Sequence, residues 1–291
     1  MTDFLQLAFS GLATGSIYAL AALGFTLLWQ AAGTINFAQG EFVMLPAFAM
    51  LGFAALGAPF PLAFVLSLLA ATVVLGWAFK RGVVDPLLRH GMMPIVVASI
   101  GLALALRHGV RAGYSAEAHP FPSLFGEQLL RVGGVTVTLA DIGTLAVALV
   151  LVLAVQAFLA RTVTGRAMQA VAQNADSARV LGIDVPRMVL YTFAINAMLA
   201  CVAALLVTPT YLAKFDMGEG LGTKAFFAAV IGGFNNTRGA LLGGLIVGVS
   251  ENLAAAYISP AYKDAVALLL FMAVILFKPQ GLLGRKEERK V

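Results

Sequence analysis

From Phe4 to Phe79 the chain carries one charged side chain, Glu41. Such a stretch contains repeated apolar runs of about 20 residues, the length that a hydrocarbon layer about 30 Å thick demands of a helix. It lacks the strict alternation that a membrane strand requires. The chain is therefore predicted to cross a bilayer as a bundle of α-helices, which satisfy their own backbone polar groups, and not as a barrel. The rest of the chain agrees: 60% of its 291 residues are hydrophobic and 11% charged, where soluble domains carry roughly 25%. The start, "MTDFLQLAFS", has no basic region ahead of its apolar run, and the run is longer than a signal-peptide core. The first helix is expected to stay in the mature chain.

Apolar segments are expected at 4–29, 42–57, 60–79, 92–106, 139–160, 188–208, 223–236, 239–257 and 264–277. The fold class that follows is an all-α polytopic membrane protein with about eight to nine transmembrane or re-entrant helices. All 291 residues then form a single membrane domain, without a separate soluble part. Lys and Arg collect in cytoplasmic loops. They cluster here at Lys80, Arg81 and Arg89, at Arg161, Arg166, Arg179 and Arg187, and at Lys278, Arg285, Lys286, Arg289 and Lys290. Those three regions are expected to be cytoplasmic, with the C-terminus. The N-terminus and the polar stretch 107–138, whose "VGGVTVT" alternates like a small hairpin, are then external. This topology, and not an anionic partner, accounts for the net charge of +5.

Segments 42–57 and 223–236 reach only about 20–24 Å at 1.5 Å per residue. They either begin inside the membrane or are re-entrant, and non-helical backbone at that depth must be buried in protein or line water. "GTINFAQGEF", 33–42, is such a break, with Asn36, Gln39 and Glu41 gathered in it. Further polar groups at membrane depth are Asn196 in "TFAINAMLA", Asn235, Asn236 and Arg238 in "GGFNNTRGALLGG", and Glu251 in "GVSENLAAAY". Because a charge at the bilayer centre costs at least about 2.5–3.5 kcal/mol, each faces the bundle interior, a partner or water. Two readings stay open: these groups line a translocation path, or they tie helices together, for example Glu41 or Glu251 with Arg238 or Lys224. "INFAQGEFVMLPAF" and "FNNTRGALLGGLIV" both pass from a polar patch through glycine into a short apolar segment, as when two halves of a transporter supply discontinuous helices to one path. Gly239, Gly243, Gly244 and Gly248 have the spacing that lets membrane helices approach closely.

Catalytic and cofactor chemistry has no support. His90, His108 and His119 keep no metal-site or triad-like company, Cys201 is alone in an apolar run, and "GLGTKAFF" lacks phosphate-loop spacing. No catalytic residue, metal site or cofactor is assigned. The remaining informative region is the loop 161–187. "AMQAVAQNADSARVLG" is rich in helix formers, with Gly182 placed to end the helix and Pro186 beyond. Its weak amphipathicity suits a helix resting on the membrane or docking into a partner's groove.

"GLATGSIYALAALGFTLLWQAAGTINFAQGEFVMLPAF", "GIDVPRMVLYTFAINAMLA", "GGFNNTRGALLGGLIVGVSENLAAAY" and "ILFKPQGLLG" together resemble the permeases of branched-chain amino-acid ABC importers, in the LivH-like branch. The resemblance runs from about residue 5 to 284, and "TINFAQGEF" and "FKPQGLLG" are its most specific parts. It implies an ABC importer permease fold in a bacterial inner membrane. It further implies a LivM-like second permease, two cytoplasmic ATPase subunits that hydrolyse ATP, and a periplasmic binding protein that delivers substrate. The loop 161–187 would hold the coupling helix, with Ala175, Asp176, Ala178, Arg179 and Gly182 facing the ATPase; Asn174-Ala175-Asp176 departs from the acidic-alanine-alanine run of the fuller motif. The implied cargo is a branched-chain or related amino acid, with urea or a short-chain amide as the alternative within the family. An ion-coupled secondary transporter or channel is the alternative outside it.

Overall fold

The computed structural model of the chain describes residues 2–88, 90–126, 128–132 and 135–284. Arg89 and the tail residues Arg285, Lys286, Arg289 and Lys290, part of the charge pattern above, lie outside the described residues. The helices are α1 (Thr2–Ala32), α2 (Gln39–Ala55), α3 (Phe60–Leu88), α4 (Met92–Tyr114), α5 (Leu139–Arg161), α6 (Val163–Gln173), α7 (Ala175–Val180), α8 (Val185–Tyr211), α9 (Met217–Gly232), α10 (Thr237–Tyr257) and α11 (Pro260–Phe277). Among the described residues, seven helices are long and apolar enough to cross a membrane: α1, α3, α4, α5, α8, α10 and α11. With α2 at 17 residues and α9 at 16, they make up the expected set of full and short segments. The hairpin is also present, β1 (Leu129–Val132) pairing antiparallel with β2 (Val135–Thr138).

Two compact units emerge from the packing. One comprises Met1–Thr26, Ser123–Val152 and Lys224–Val291, the other Leu27–Pro122 and Leu153–Thr223. In the first, α1 and α10 cross through small residues. A β-carbon on Gly11 would strike Val249, one on Gly15 would strike the Gly244 carbonyl, and Gly244 and Gly248 lie against Ala19 and Gly15. Gly239 and Gly243 instead face α9 at Gly232 and Ala228. The closely spaced glycines of α10 therefore serve two neighbours on two faces. Packing at this range replaces a hydrophobic drive that lipid does not supply.

The second unit is built around α2, α3, α4 and α8. Phe42 stands edge-on to Phe79, and Phe79 tilts against Phe193. Ser67 on α3 donates to the Pro46 carbonyl of α2 at 2.8 Å. The middle of α3 is wound as a π-helix over Thr72–Ala78 and again over Lys80–Val84. That widened turn stacks residues five apart, and Lys80 duly meets Asp85 at 2.9 Å. α4 runs eight residues past the end expected at 106, into the stretch read as an external loop. The extension is held by packing: Leu106 and Val110 join Met44 and Phe48 in a core cluster, and the Tyr114 hydroxyl donates to the Phe48 carbonyl at 3.0 Å. α4, α5 and α11 expose apolar side chains suited to lipid, among them Val97, Leu104, Val150, Leu153, Leu269 and Met272.

Candidate functional site

α1 ends where Gly33 takes a left-handed turn (φ +61°) that an L side chain rarely adopts. Asn36 then shapes the re-entry, its Oδ1 accepting from the Ala38 N–H at 3.1 Å, while the Phe37 N–H donates to Ser99 Oγ of α4 at 3.0 Å. α2 starts at once with Gln39, whose amide is directed across to α8. Gln39 Nε2 donates to Asn196 Oδ1 at 2.7 Å and Asn196 Nδ2 donates to Gln39 Oε1 at 2.9 Å, with both residues fully buried. A neutral reciprocal pair satisfies two amides without charge, as a buried polar pair must. Asn36 is buried too, and its Nδ2 has no hydrogen-bond partner among the described residues.

One residue further on, Glu41 is 3% exposed and paired with Arg107 of α4, whose Nη2 donates to Glu41 Oε1 at 2.8 Å. Arg107 also donates from Nη1 to Glu219 Oε2 at 2.7 Å, on the first turn of α9. Beside them Gly40 and Gly218 touch so closely that a β-carbon on either would enter the other's backbone, and Gly222 also packs on Gly40. The two helices thus begin alike, Gln39-Gly40-Glu41 and Met217-Gly218-Glu219, glycine on glycine and both glutamates on one guanidinium. A local correspondence therefore joins the starts of α2 and α9, which make backbone contact, beside the one that the polar patches at 35–48 and 234–247 suggest. Arg107 and Glu219 were missed as site residues because Arg107 stands at the edge of its apolar segment and reads as loop. The recurrence of Gly-Glu at the start of two short segments was the available signal.

In the other unit, Glu251 on α10 is fully buried and meets Lys224 Nζ of α9 at 2.9 Å, as one of the expected pairings had it. Tyr18 of α1 donates to Glu251 Oε2 at 2.8 Å, and Lys263 stands 3.8 Å away. Lys224 also reaches Asp264 at 3.0 Å and lies over the Tyr18 ring. Arg238 takes no part in this cluster. It is exposed on the first turn of α10, where Asn236 caps the helix by accepting from the Arg238 and Gly239 N–H groups at 2.9 and 3.3 Å. The capping turn, with exposed Asn235 before it, is covered by the C-terminal segment. Asn236 Nδ2 donates to the Leu283 carbonyl, the Leu282 and Leu283 N–H groups donate to Ile231 and Gly232, and Gly233 (φ +107°) and Gly281 (φ +77°) allow the backbones to meet. "GGFNNTRG" and "FKPQGLLG" are therefore one structural element.

The loop 161–187 divides at Asn174, where a single helix had been expected. Thr162 caps α6 by accepting from Gly165 N at 2.9 Å, and Asn174 caps α7 by accepting from Ser177 N at 2.8 Å. A side chain that can cap starts a new helix instead of continuing the old one. Gly182 (φ +80°) ends α7 as expected; its N–H donates to the Arg179 carbonyl and that of Ile183 to the Ala178 carbonyl, a Schellman closure. Ala178 is buried beneath. Asp176 and Arg179 pair at 2.6 Å on the exposed face, beside Val180 at 89% and Leu181 at 77% exposure. Among the described residues, no group of three or more His, Cys, Asp or Glu side chains is placed to hold a metal.

Seven span-length apolar helices with two short companions and buried ion pairs define the class: a polytopic α-helical membrane protein. The solved structure of "PsaBC from Streptococcus pneumoniae in complex with Fab" shares the fold, with TM-score 0.50 at 14% identity over 95% of this chain and 92% of that one. Residues 7–275 match the family described as branched-chain amino acid transport system / permease component, and the chain belongs to that family. It is 35% identical to the high-affinity branched-chain amino acid transport system permease protein LivH of Salmonella typhimurium, and equally to LivH of Escherichia coli. It is 34% identical to the corresponding protein BraD of Pseudomonas aeruginosa. Each alignment covers 99% of this chain and 98% of the relative. As a transport permease the chain is not an enzyme, and it acts within a transporter complex with other subunits.

Proposed function

We propose that this chain is a permease subunit of an ATP-driven importer that carries branched-chain amino acids across a bacterial inner membrane. The observation that carries the proposal is the near-complete, 35% identical alignment with permeases named for high-affinity branched-chain amino acid transport. On this reading it works as one membrane domain beside a LivM-like second permease, two cytoplasmic ATPases and a periplasmic binding protein. The N-terminus and the region 107–138 face outward, and the C-terminus and the loop 161–187 face the cytoplasm. α7 is the coupling element: Asp176, Arg179, Val180 and Leu181 offer charge and apolar surface outside the membrane, with Ala175, Ala178 and Gly182 setting its shape.

Asn36, Gln39 and Asn196 are the path-lining groups. Neutral amides can meet either end of a zwitterion without holding it, and selectivity can then rest with the binding protein. Glu41 serves the path by fixing α2 to α4 through Arg107, and Glu251 ties α1, α9 and α10 together within its own unit. Asn235, Asn236 and Arg238, first read as path groups, are better supported as the capped turn that the C-terminal segment covers.

The test is uptake into proteoliposomes holding this chain with the ATPase, second-permease and binding-protein subunits that co-purify with it. ATP-dependent uptake of labelled leucine is expected, and none from a potassium, sodium or proton gradient alone. Saturable urea uptake without leucine uptake would replace the cargo assignment, and transport by this chain alone under an ion gradient would overturn the importer reading.

A further inference from the structure

Arg107 holds together the first turns of two short helices, and the charges around it balance in a revealing way. The start of a helix carries about half an elementary positive charge. Gly40 and Gly218 bring two such ends together, so α2 and α9 repel there. Glu41 and Glu219, each on the third residue of its helix, offset both ends and the guanidinium between them. The set is neutral only while assembled, and no further ion is required to complete it.

Its two halves differ in strength. Glu41 is buried at 3% exposure and Arg107 at 17%, whereas Glu219 is 65% exposed. Removing one partner from a buried ion pair strands the other in a poor solvent, while an exposed pair separates into water at little cost. The glycine contact beside it has no side chain to interlock, and parting α2 from α9 there repacks the apolar cluster that holds Met44 and Met217. Arg107–Glu41 is the permanent half and Arg107–Glu219 the releasable one.

We propose that Arg107 is a positioning residue of the transport cycle: it clasps α9 to α2 in this state, and the exposed Arg107–Glu219 half opens when the permease changes state while Arg107–Glu41 stays closed. The inference rests on the importer reading above. It places the moving boundary at the α2–α9 contact, immediately beside the Gln39–Asn196 pair, so that release of Glu219 frees one side of the amide pair's surroundings.

Leu45 and Met217, both only partly buried, lie in one apolar cluster across this boundary and serve as reporters. In the complete transporter, with Cys201→Ser to remove the native thiol, the pair Leu45→Cys and Met217→Cys is treated with a short bifunctional thiol reagent. Cross-linking is expected to be efficient without nucleotide and to fall at least several-fold with ATP bound to a hydrolysis-deficient ATPase. Glu219→Gln in the same background is expected to lower the nucleotide-free yield towards the ATP-bound level. Arg107→Lys, which keeps the charge but not the fork that reaches two carboxylates, is expected to do the same. Equal yields in both nucleotide states, or full transport by the cross-linked protein, would overturn the proposal. Cross-linking is read without cargo, and leucine uptake by the reduced protein is measured separately, so the clasp and the cargo assignment fail independently.

Discussion

Gln39 and Asn196, 157 positions apart in the chain, satisfy each other through two amide hydrogen bonds of 2.7 and 2.9 Å in a fully buried setting. The pair joins the start of α2 to α8 and commits both side chains in this state. On the proposed reading, a path group shut off by a neutral partner is released without separating charges, which suits a step repeated in every cycle.

Truncating one member should cost more than truncating both. Gln39→Leu leaves the Asn196 amide buried and unpaired, a loss of about 1–3 kcal/mol. The double variant with Asn196→Leu should recover part of that loss. Thermal unfolding of the purified complex in detergent, arranged as a double-mutant cycle, measures the coupling; additive losses would contradict the pairing. If both groups also meet cargo, the stable double variant should still lose most leucine uptake.

Gly40→Ala should destabilise by about 1–3 kcal/mol, because the added methyl has only backbone to displace. Gly101→Ala is the control. Open space surrounds that glycine, and alanine in a helix interior gains up to about 1 kcal/mol. Melting temperatures should move in opposite directions for the two variants.

Glu251 should tolerate substitution least among the acidic side chains in the unit that contains it. Glu251→Gln removes the buried carboxylate, leaves Lys224 with the exposed Asp264 alone and weakens the Tyr18 contact, a cost of up to about 3–5 kcal/mol, the range for breaking a buried pair. Lys263→Ala, at 3.8 Å from the same carboxylate, should cost far less. The ranking is read from folded yield and unfolding temperature in one detergent.

Asp176→Ala with Arg179→Ala should leave stability within about 1 kcal/mol, since the pair is solvent-exposed. ATPase co-purification should nevertheless fall, and Val180→Asp with Leu181→Asp should abolish it while membrane insertion is unchanged. ATPase association that survives all four changes would move the docking surface elsewhere.

Membrane class, the number of apolar segments and the special standing of the break at 33–42 were legible in the chain, because each rests on local composition. Gly182 and Pro186 marked a helix end and the next start correctly, since a left-handed turn and a proline impose themselves whatever surrounds them. The end of α4 was not legible: residues 107–114 are polar enough to read as loop, and their contacts with α2 and the start of α9 are made by residues distant in the chain. Asn174 hid a boundary because a capping side chain and a helix interior share the same neighbours in sequence. Glu41 was recognised as a charge in need of a partner, but the partner proved to be Arg107, 66 positions away.

By itself, then, the sequence determined that this chain is a bundle of membrane helices, which segments are too short to span, and which polar groups must be satisfied inside. Those are consequences of transfer free energy and helix length, both additive along the chain. Only the tertiary structure decided who satisfies whom: Gln39 with Asn196, one arginine for two glutamates, Glu251 with Lys224 and Tyr18, and the C-terminal segment on the α9–α10 turn. A buried charge or amide states its need locally, but the group that meets it is chosen by packing, and glycine contacts such as Gly40 with Gly218 set that packing at distances no local pattern encodes.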